Sequence, residues 1–302
     1  MSTSGSDIAN EPKPEGWGGS WTEKKLVAFE KYVKAYLTIM AKNPYWKTIY
    51  FDGFAGSGER KKKEDLELMH QLAIVESEEQ VYQGAAERLL RLPEKWRFHW
   101  YYFIDKKAAA SEALQKKLDF VDAALKEKLV FRSGDGNAQL LKLAALMKQD
   151  KHYASLVFLD PFGMQVSWNS IAELKGTRTD IWILIPTGVI VNRLLDRKGE
   201  LKSMALLCDF FGLTEEEVRK QFYGTASVTD LFGEEGEMVS KVIDPINKIA
   251  RLYIKQLGSV WKFVTPQPLR LNNSTGSPIF HFVMASNNTD AVRIAQEIIA
   301  KT

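Results

Sequence analysis

The sequence has a single cysteine, Cys208, in 302 residues. One cysteine excludes an intramolecular disulfide and any cysteine-rich zinc or iron–sulfur site built from this chain alone. Histidine is also scarce, and no two of the four histidines stand at a spacing typical of metal ligands. We therefore predict no metal site, and a fold that depends on its apolar core for stability.

Long apolar runs are absent as well. The longest, residues 181–191, is interrupted by Pro186 and is too short to span a bilayer. Residues 1–20 are rich in Ser, Gly, Pro and acidic side chains without an apolar core, which predicts a disordered leader and no signal peptide. A net charge of +3 permits a nucleic-acid partner without requiring one. We expect a cytoplasmic protein.

The composition is that of a globular protein, 45% hydrophobic and 26% charged, and strand and helix patterns alternate along the chain. The β-prone runs are apolar over most of their length, as expected for a parallel sheet covered on both faces. The predicted strands are residues 48–51, 98–104, 129–131, 155–159, 181–185, 260–271 and 279–285. The helical patterns between them predict an α/β fold.

Helical patterns also frame this alternation. Thr22–Lys42, within a predicted N-terminal unit of residues 21–45, has apolar residues at helical spacing and Thr22 as its N-cap. Residues 191–257 have helical patterning and no convincing long strand, so we predict a helical insertion or cap. The other predicted helices are residues 108–128, 138–149, 171–174 and 291–301. Residues 21–302 form one domain in this interpretation.

Glycines and acids follow four consecutive predicted strands. The first strand ends in residues 51–58 (FDGFAGSG) and the second at Asp105, while residues 134–137 (GDGN) and 160–163 (DPFG) follow the third and fourth. The carboxyl ends of parallel strands form the edge at which open α/β sheets bind ligands. Each acid by itself could equally cap a helix or end a turn, but the four in this order favour a ligand site.

The glycine loop departs from two familiar phosphate-binding motifs. A P-loop needs Lys and Ser or Thr after its last glycine, where this chain has Glu59 and Arg60. Lys61 stands where the dinucleotide fingerprint needs a third glycine. The motif therefore favours neither a nucleoside triphosphate nor NAD.

Basic side chains lie close to this loop in the sequence. Arg60, Lys61 and Lys62 follow it, and Lys24 and Lys25 lead the first predicted helix. One interpretation is that Arg60, Lys61, Lys62 and Lys24 contact the phosphates of a nucleic-acid substrate, which positions it without reading its sequence. The alternative is that these side chains only face solvent.

The order of these features resembles that of the class I S-adenosylmethionine (SAM) dependent methyltransferases. Residues 51–58 resemble their first motif, Asp105 matches the ribose-binding acid, and Asp135 matches the adenine contact. The resemblance implies a Rossmann-like fold with a seven-stranded, mostly parallel sheet whose last strand is antiparallel, plus the helical insertion. The cofactor-binding residues that it implies are Asp52, Phe54, Gly56, Gly58, Asp105, Asp135 and Asn137.

The stretch Asp160, Pro161 and Phe162 resembles the signature of enzymes that methylate exocyclic amines. In such a site the Asp160 carboxylate and the Pro161 carbonyl would accept hydrogen bonds from the amine, while Phe162 would pack against the base. The match is partial, because one proline is missing and Gly163 stands where an aromatic residue often does. The alternative is that Asp160 and Pro161 only end a strand.

A closer resemblance is to the three-Cys-motif partner (TcmP) family, from about residue 20 onward. The segments that carry it are WTEKKL (21–26), YFDGFAGSG (50–58), DGN (135–137), FLDPFG (158–163) and PIFHF (278–282). The resemblance implies a partner protein with three clustered cysteines, itself similar to radical-SAM enzymes. The charged residues 60–76 are longer than that pattern predicts.

Three functions are compatible with these observations. The first is SAM-dependent methylation of an exocyclic amine in RNA or DNA, in company with the three-Cys-motif protein. The second is methylation of a small molecule or peptide, which the modest charge suits equally well. The third is a scaffold for the partner that has the methyltransferase fold and no activity.

Overall fold

The computed structural model describes residues 20–56, 84–161, 163–196, 199, 201, 203–229, 235–273 and 276–302. Its strands are β1 (Lys47–Asp52), β2 (Trp100–Asp105), β3 (Leu129–Ser133), β4 (Tyr153–Leu159), β5 (Thr179–Ile185), β6 (Tyr223–Thr229), β7 (Glu235–Lys241), β8 (Phe263–Val264), β9 (Leu269–Asn272) and β10 (Pro278–Ser286). The predicted leader lies almost wholly outside the described residues.

The helices lie between and after the strands. They are α1 (Ser20–Met40), α2 (84–90), α3 (Ala108–Lys117), α4 (Ala123–Lys126), α5 (Gly136–Gln149), α6 (Trp168–Ala172), α7 (Asn192–Leu194), α8 (Met204–Phe211), α9 (Glu215–Phe222), α10 (Pro245–Leu257) and α11 (Thr289–Ala300). Short 3₁₀ turns occupy Glu94–Trp96 and Leu118–Phe120, and a π-helical turn occupies Thr187–Val191. None of these helices is long and apolar enough to cross a membrane.

The main sheet has the strand order β3-β2-β1-β4-β5-β10, and β8 and β9 both pair with β10. Strands β1 to β5 pair in parallel, and β10 is antiparallel to β5, β8 and β9. This arrangement confirms the predicted Rossmann-like fold of the class I methyltransferases. Of the strands described, eight belong to this sheet rather than the predicted seven, because Pro266 and Pro268 divide one predicted strand into β8 and β9.

Apolar layers cover both faces of the sheet. Alternate side chains of β1 point to opposite sides, so that Tyr50 packs in the layer under α1 and Ile49 packs in the layer formed with α5. Phe29 of α1 lies 4.3 Å from Phe158 of β4, measured between ring centroids. Strand β4 is buried along almost all of its length, as predicted for a parallel strand covered on both sides.

Three local predictions are wrong. Helix α1 begins at Ser20, so Thr22 lies inside its first turn and is not the N-cap. The predicted helix 108–128 is broken, because Asp122 accepts a hydrogen bond from the Leu125 amide and starts α4 afresh. Residues 191–257 contain helices as predicted, but also the antiparallel hairpin of β6 and β7. Strand β6 (YGTASVT) has Gly, Ala and Ser in place of large β-formers, which hid it from the pattern.

Candidate functional site

The four glycine- and acid-containing segments meet at the carboxyl edge of the sheet. Asp52, the last residue of β1, is in register with Phe103 of β2 and Phe158 of β4. Asp105 and Asp160 therefore each lie two residues beyond Asp52 toward the same edge. The register confirms that the segments predicted to share an edge do so.

Asp52 shapes the loop that follows β1. Its side chain is fully buried, and it accepts hydrogen bonds from the Phe54 amide and the Tyr50 hydroxyl, each at 3.2 Å. A Cβ atom at Gly53 would lie 2.7 Å from Leu159 Cδ2, so the Leu159 side chain would have to move for any larger residue there. Gly56 has a φ of +52°, a conformation that favours glycine. The buried carboxylate thus holds the backbone of the glycine loop.

Backbone hydrogen bonds join this loop to the neighbouring strand ends. The Ala55 amide donates to the Ile104 carbonyl at 2.6 Å, and the Gly134 amide donates to the Asp105 carbonyl at 2.8 Å. The Asp105 carboxylate is half-buried and accepts a hydrogen bond from the Lys107 amide at 2.8 Å. These hydrogen bonds connect the ends of β1, β2 and β3, with the Asp105 carboxylate beside them.

Asp135 and Asn137 both have structural contacts at the start of α5. Asp135 is the N-cap, and its exposed carboxylate accepts a hydrogen bond from the Ala138 amide at 2.9 Å. The Asn137 amide group donates to the Gln165 carbonyl and accepts from the Ser167 amide, which connects α5 to the loop after β4. Their roles as adenine and cofactor contacts remain predictions.

Gly136, which was not predicted as a site residue, lies where the Cβ atom of any other residue would clash with the glycine loop. A Cβ atom there would lie 2.5 Å from the Gly53 carbonyl oxygen and 3.4 Å from the half-buried ring of Phe54. The first residue of α5 thus packs directly on the backbone of the glycine loop. The GDGN segment contained this signal, because glycine at the start of a helix often marks a close backbone approach.

We expect Gly136→Ala to destabilise the protein by about 1–3 kcal/mol, because the backbone of one loop must move. Helix propensity alone would favour alanine by up to about 1 kcal/mol, so the two effects have opposite signs. Gly224→Ala in β6 is the control, since no atom lies within 4 Å of a Cβ atom there. Urea unfolding of both variants checks the prediction, and a Gly136→Ala variant as stable as the parent would contradict it.

A buried ion pair connects α1 to the end of β4. Lys25 Nζ lies 2.6 Å from Asp160 Oδ2, and the side chains are 3% and 8% exposed. Lys25 Nζ also lies 5.5 Å from the centre of the Trp21 ring. Asp160, predicted as the catalytic carboxylate, is therefore held by a cation from another element.

From the sequence, Lys24 and Lys25 could both reach the site, and Lys24 was the one predicted as a contact. The structure leaves Lys24 exposed and buries Lys25. Helical spacing could have separated them, because Lys25 lies four residues before Phe29 and seven before Tyr32, both in the core. Because lysines at the start of a helix usually face solvent, the buried position of Lys25 was not predicted.

Burial and two acids of this edge raise the pKa of a tyrosine, Tyr50. Tyr50 is fully buried and donates its hydroxyl to Asp52. Burial first, and then the negative charges of Asp52 and Asp160, raise the pKa of Tyr50 well above its usual range. Tyr50 is thus a neutral hydrogen-bond donor to Asp52.

Several predicted site residues lie outside the described residues. They are Gly58, Arg60, Lys61, Lys62 and Phe162. Pro161 is described and is buried directly after Asp160. Gly163 follows with a φ of +77°, so the chain turns sharply there. The turn after β4 is thus constrained on both sides of position 162.

A buried histidine, His281 of β10, lies beside the last residue of β5, near the same edge. His281 of β10 is paired in register with Ile185, and its Nδ1 lies 2.8 Å from the Thr187 hydroxyl. Burial, and to a smaller extent the charge of Arg270, lowers the pKa of His281 to about 4. The hydrogen bond connects β10 to the π-helical turn, a type of turn that is frequent at functional sites.

The lowered pKa makes stability depend on pH. The unfolded chain takes up a proton near pH 6.5 and the folded chain only near pH 4, so this contribution is complete above pH 6.5 and is lost as pH falls. We expect the parent protein to lose about 2–3 kcal/mol more than His281→Gln between pH 7 and 4.5. Urea unfolding at several pH values measures this, with the exposed His152→Gln as control. Equal losses in the parent and His281→Gln would disprove it.

Comparison with known proteins supplies structural likeness only. No protein-family model matches the chain, and no curated protein matches it. Trm1 from Pyrococcus horikoshii, solved as a complex with S-adenosyl-L-methionine, is similar with 13% identity and a TM-score of 0.34. The match covers 80% of this chain and 60% of that one, so the chain spans less than two thirds of its length.

Two other solved structures are similar in the same way. A spermidine synthase in complex with the transition state analogue AdoDATO has 9% identity and a TM-score of 0.34, over 91% of this chain and 62% of that one. The glycopeptide N-methyltransferase MtfA, complexed with S-adenosyl-L-homocysteine, has 11% identity and a TM-score of 0.30, over 84% and 88%. At identities this low the reaction has to be argued from the residues of the carboxyl edge.

Proposed function

We propose that this protein is a SAM-dependent methyltransferase that acts on an exocyclic amine of a nucleic-acid base. One observation carries the proposal. The glycine loop, Asp105, Asp135 and Asp160 lie at the ends of four neighbouring parallel strands, and the first three are joined by backbone hydrogen bonds or direct packing. An open α/β sheet binds nucleotide-like ligands at this edge.

The residues of the edge suit SAM as the cofactor. Gly56 is half-buried and has a positive φ, so its backbone could be approached closely by a ligand, while Gly53 is buried and lets the loop pack on the sheet. Asp105 would accept hydrogen bonds from ribose hydroxyls. Asp135, the N-cap of α5, would accept a hydrogen bond from the adenine amine. SAM, when bound, supplies a methyl group on a positively charged sulfur. The buried Asp52 would act by holding the loop.

Asp160 and Pro161 would hold the acceptor amine. An exocyclic amine is a weak nucleophile, since its lone pair is delocalised into the base, and it has to be positioned precisely. The ion pair with Lys25 uses Asp160 Oδ2, and we propose that Oδ1 and the Pro161 carbonyl accept the two N–H groups. Lys25 would thereby fix the orientation of the carboxylate. Phe162 would pack on the base, and Lys24, Arg60, Lys61 and Lys62 would contact phosphates.

The resemblance to the TcmP family adds a partner to this proposal. We propose that the three-Cys-motif, radical-SAM-like protein acts with this chain. The surface that we propose for the partner is the hairpin of β6 and β7, which pairs with no other described strand. A pull-down of the partner with and without residues 223–241 would test this placement.

One observation favours a second candidate, the scaffold without activity. Lys25 already occupies one oxygen of the predicted catalytic carboxylate, in a site with little exposure. A buried ion pair of this kind can also serve only to determine how α1 packs on the sheet. SAM binding distinguishes the two candidates, because a scaffold has no need of it.

We expect SAM and S-adenosylhomocysteine to bind the purified protein at micromolar concentration, and Asp105→Ala to weaken binding at least about tenfold. Isothermal titration calorimetry measures both. Asp119→Ala is the matched control, because Asp119 is an exposed acid paired with Lys126 far from this edge. A folded parent protein that binds neither ligand would leave the scaffold as the better account.

A further inference from the structure

A cavity of about 750 Å³ lies at the opposite, amino-terminal edge of the sheet. It lies between α1, the first residues of β4 and β5, the turn after α10 and the start of α11. Its volume is in the range typical of small-molecule sites, roughly 300–1,000 Å³. Asp160 is separated from it by the length of β4, about 20 Å at the usual rise per residue. The cavity is therefore distinct from the candidate active site.

The walls of the cavity are largely apolar. Helix α1 contributes Tyr36, Ile39 and Met40 to the lining, and two tryptophans, Trp46 and Trp261, also belong to it. Trp261 is held in place, because its indole N–H donates to the Thr179 carbonyl at 2.7 Å. The cavity thus offers flat aromatic and aliphatic surfaces on a rigid support, which suits a planar or branched apolar body.

A polar group without a partner lies beside these walls. The Tyr36 hydroxyl is buried and has no hydrogen-bond partner among the described residues. Its pKa is raised by burial and by the charge of Asp180, and is lowered less by Arg178, so it lies near two other lining residues. The hydroxyl has almost no accessible surface, so Tyr36 contributes its ring to the wall and its hydroxyl is not open to the cavity.

The charges around the cavity are mostly positive. Four cations line it, Lys151, Lys175, Arg178 and Lys262. Asp180 is the acid in the lining, and both of its carboxylate oxygens already accept hydrogen bonds, from Tyr32 and Ser286. The Arg178 guanidinium lies over the Trp46 ring, with 3.7 Å between its Cζ and the ring centre. Positive charge beside an aromatic wall attracts an anion that has an apolar body.

We propose that this cavity is a second ligand site, which binds a compact amphipathic anion with an aromatic or aliphatic body and one carboxylate or similar acid. The body lies between α1 and Trp46. The acid faces Arg178 and Lys262. This site does not depend on the proposed methyl transfer.

Three probes test the proposal on the full-length protein: 2-naphthoate, 4-phenylbutyrate and octanoate. Titration is followed by calorimetry and by the indole N–H signals of Trp46 and Trp261 in NMR spectra. We expect at least one probe to bind and shift these signals, and the uncharged 2-naphthamide to bind at least about tenfold more weakly than 2-naphthoate. The absence of binding by all three probes would overturn the proposal. So would equal binding of the acid and the amide, since the charge would then play no part.

Matched variants locate the binding. R178Q/K262Q removes two lining cations and is expected to weaken binding of the probe at least about tenfold, whereas K117Q/K220Q removes two exposed cations elsewhere and changes it less than about twofold. Y36F removes only the hydroxyl and is expected to change binding of the probe by less than about threefold, because the hydroxyl is not open to the cavity. Thermal unfolding confirms that each variant is folded. Equal losses in both double variants would refute the site.

Discussion

Replacing Lys25 with methionine is expected to lower the free energy of unfolding by about 3–5 kcal/mol and to abolish the proposed methyl transfer. The reason is the Asp160 carboxylate, which is only 8% exposed and would be left in the protein interior without its cation. Removing one member of a buried pair is costly because the other charge stays desolvated. Activity would fall as well, because the carboxylate would no longer be held in one orientation.

Two further variants make this result interpretable. Lys24→Met changes the exposed neighbour and is expected to alter stability by less than about 0.5 kcal/mol. The double variant Lys25→Met/Asp160→Leu replaces the pair with apolar groups and is expected to recover most of the lost stability, because neither charge is then buried. It should recover no activity. Urea unfolding and a methyl-transfer assay measure these quantities, and equal stability of Lys25→Met and Lys24→Met would refute the buried pair.

The second large effect concerns Asp160 itself. We expect Asp160→Asn to slow the proposed methyl transfer by about 100- to 1,000-fold, the usual cost of losing one charge-stabilising group, while SAM affinity changes only a few fold. The shape of the side chain is kept, but its negative charge, which would stabilise the amine as it acquires the methyl group, is lost. Transfer of a radiolabelled methyl group to RNA and DNA, and calorimetry with SAM, measure the two effects separately.

The ion pair requires a control for this experiment. Asp160→Asn leaves Lys25 buried opposite a neutral amide, so part of any loss could come from unfolding. Comparing it with Lys25→Met/Asp160→Asn, in which neither charge remains, separates stability from chemistry. If SAM affinity and rate fall together in both variants, Asp160 is a residue of the cofactor site or of the fold, and the proposed catalytic role is refuted.

Much of the fold could be predicted from the sequence, because its signals are local. Apolar runs such as 155–159 and 181–185 became β4 and β5, and the segments after the strands reached one edge because parallel strands end at the same side. The hairpin of β6 and β7 was missed, since glycine, serine and glutamate interrupt its β-forming residues and its strands pair only with each other in the described part of the chain. Pairing, unlike periodicity, has no local signature in such a segment.

The sequence by itself predicted alternating strands and helices, placed the glycine loop and three acids at one edge of the sheet, and excluded an intramolecular disulfide. Only the tertiary structure decided which of two adjacent lysines meets Asp160, that Gly136 packs on the Gly53 carbonyl, and that a cavity lies at the opposite edge. The physical reason is how far apart in the sequence the interacting residues lie. Helix and strand patterns depend on neighbours a few residues apart, whereas an ion pair between positions 25 and 160 depends on how two elements pack.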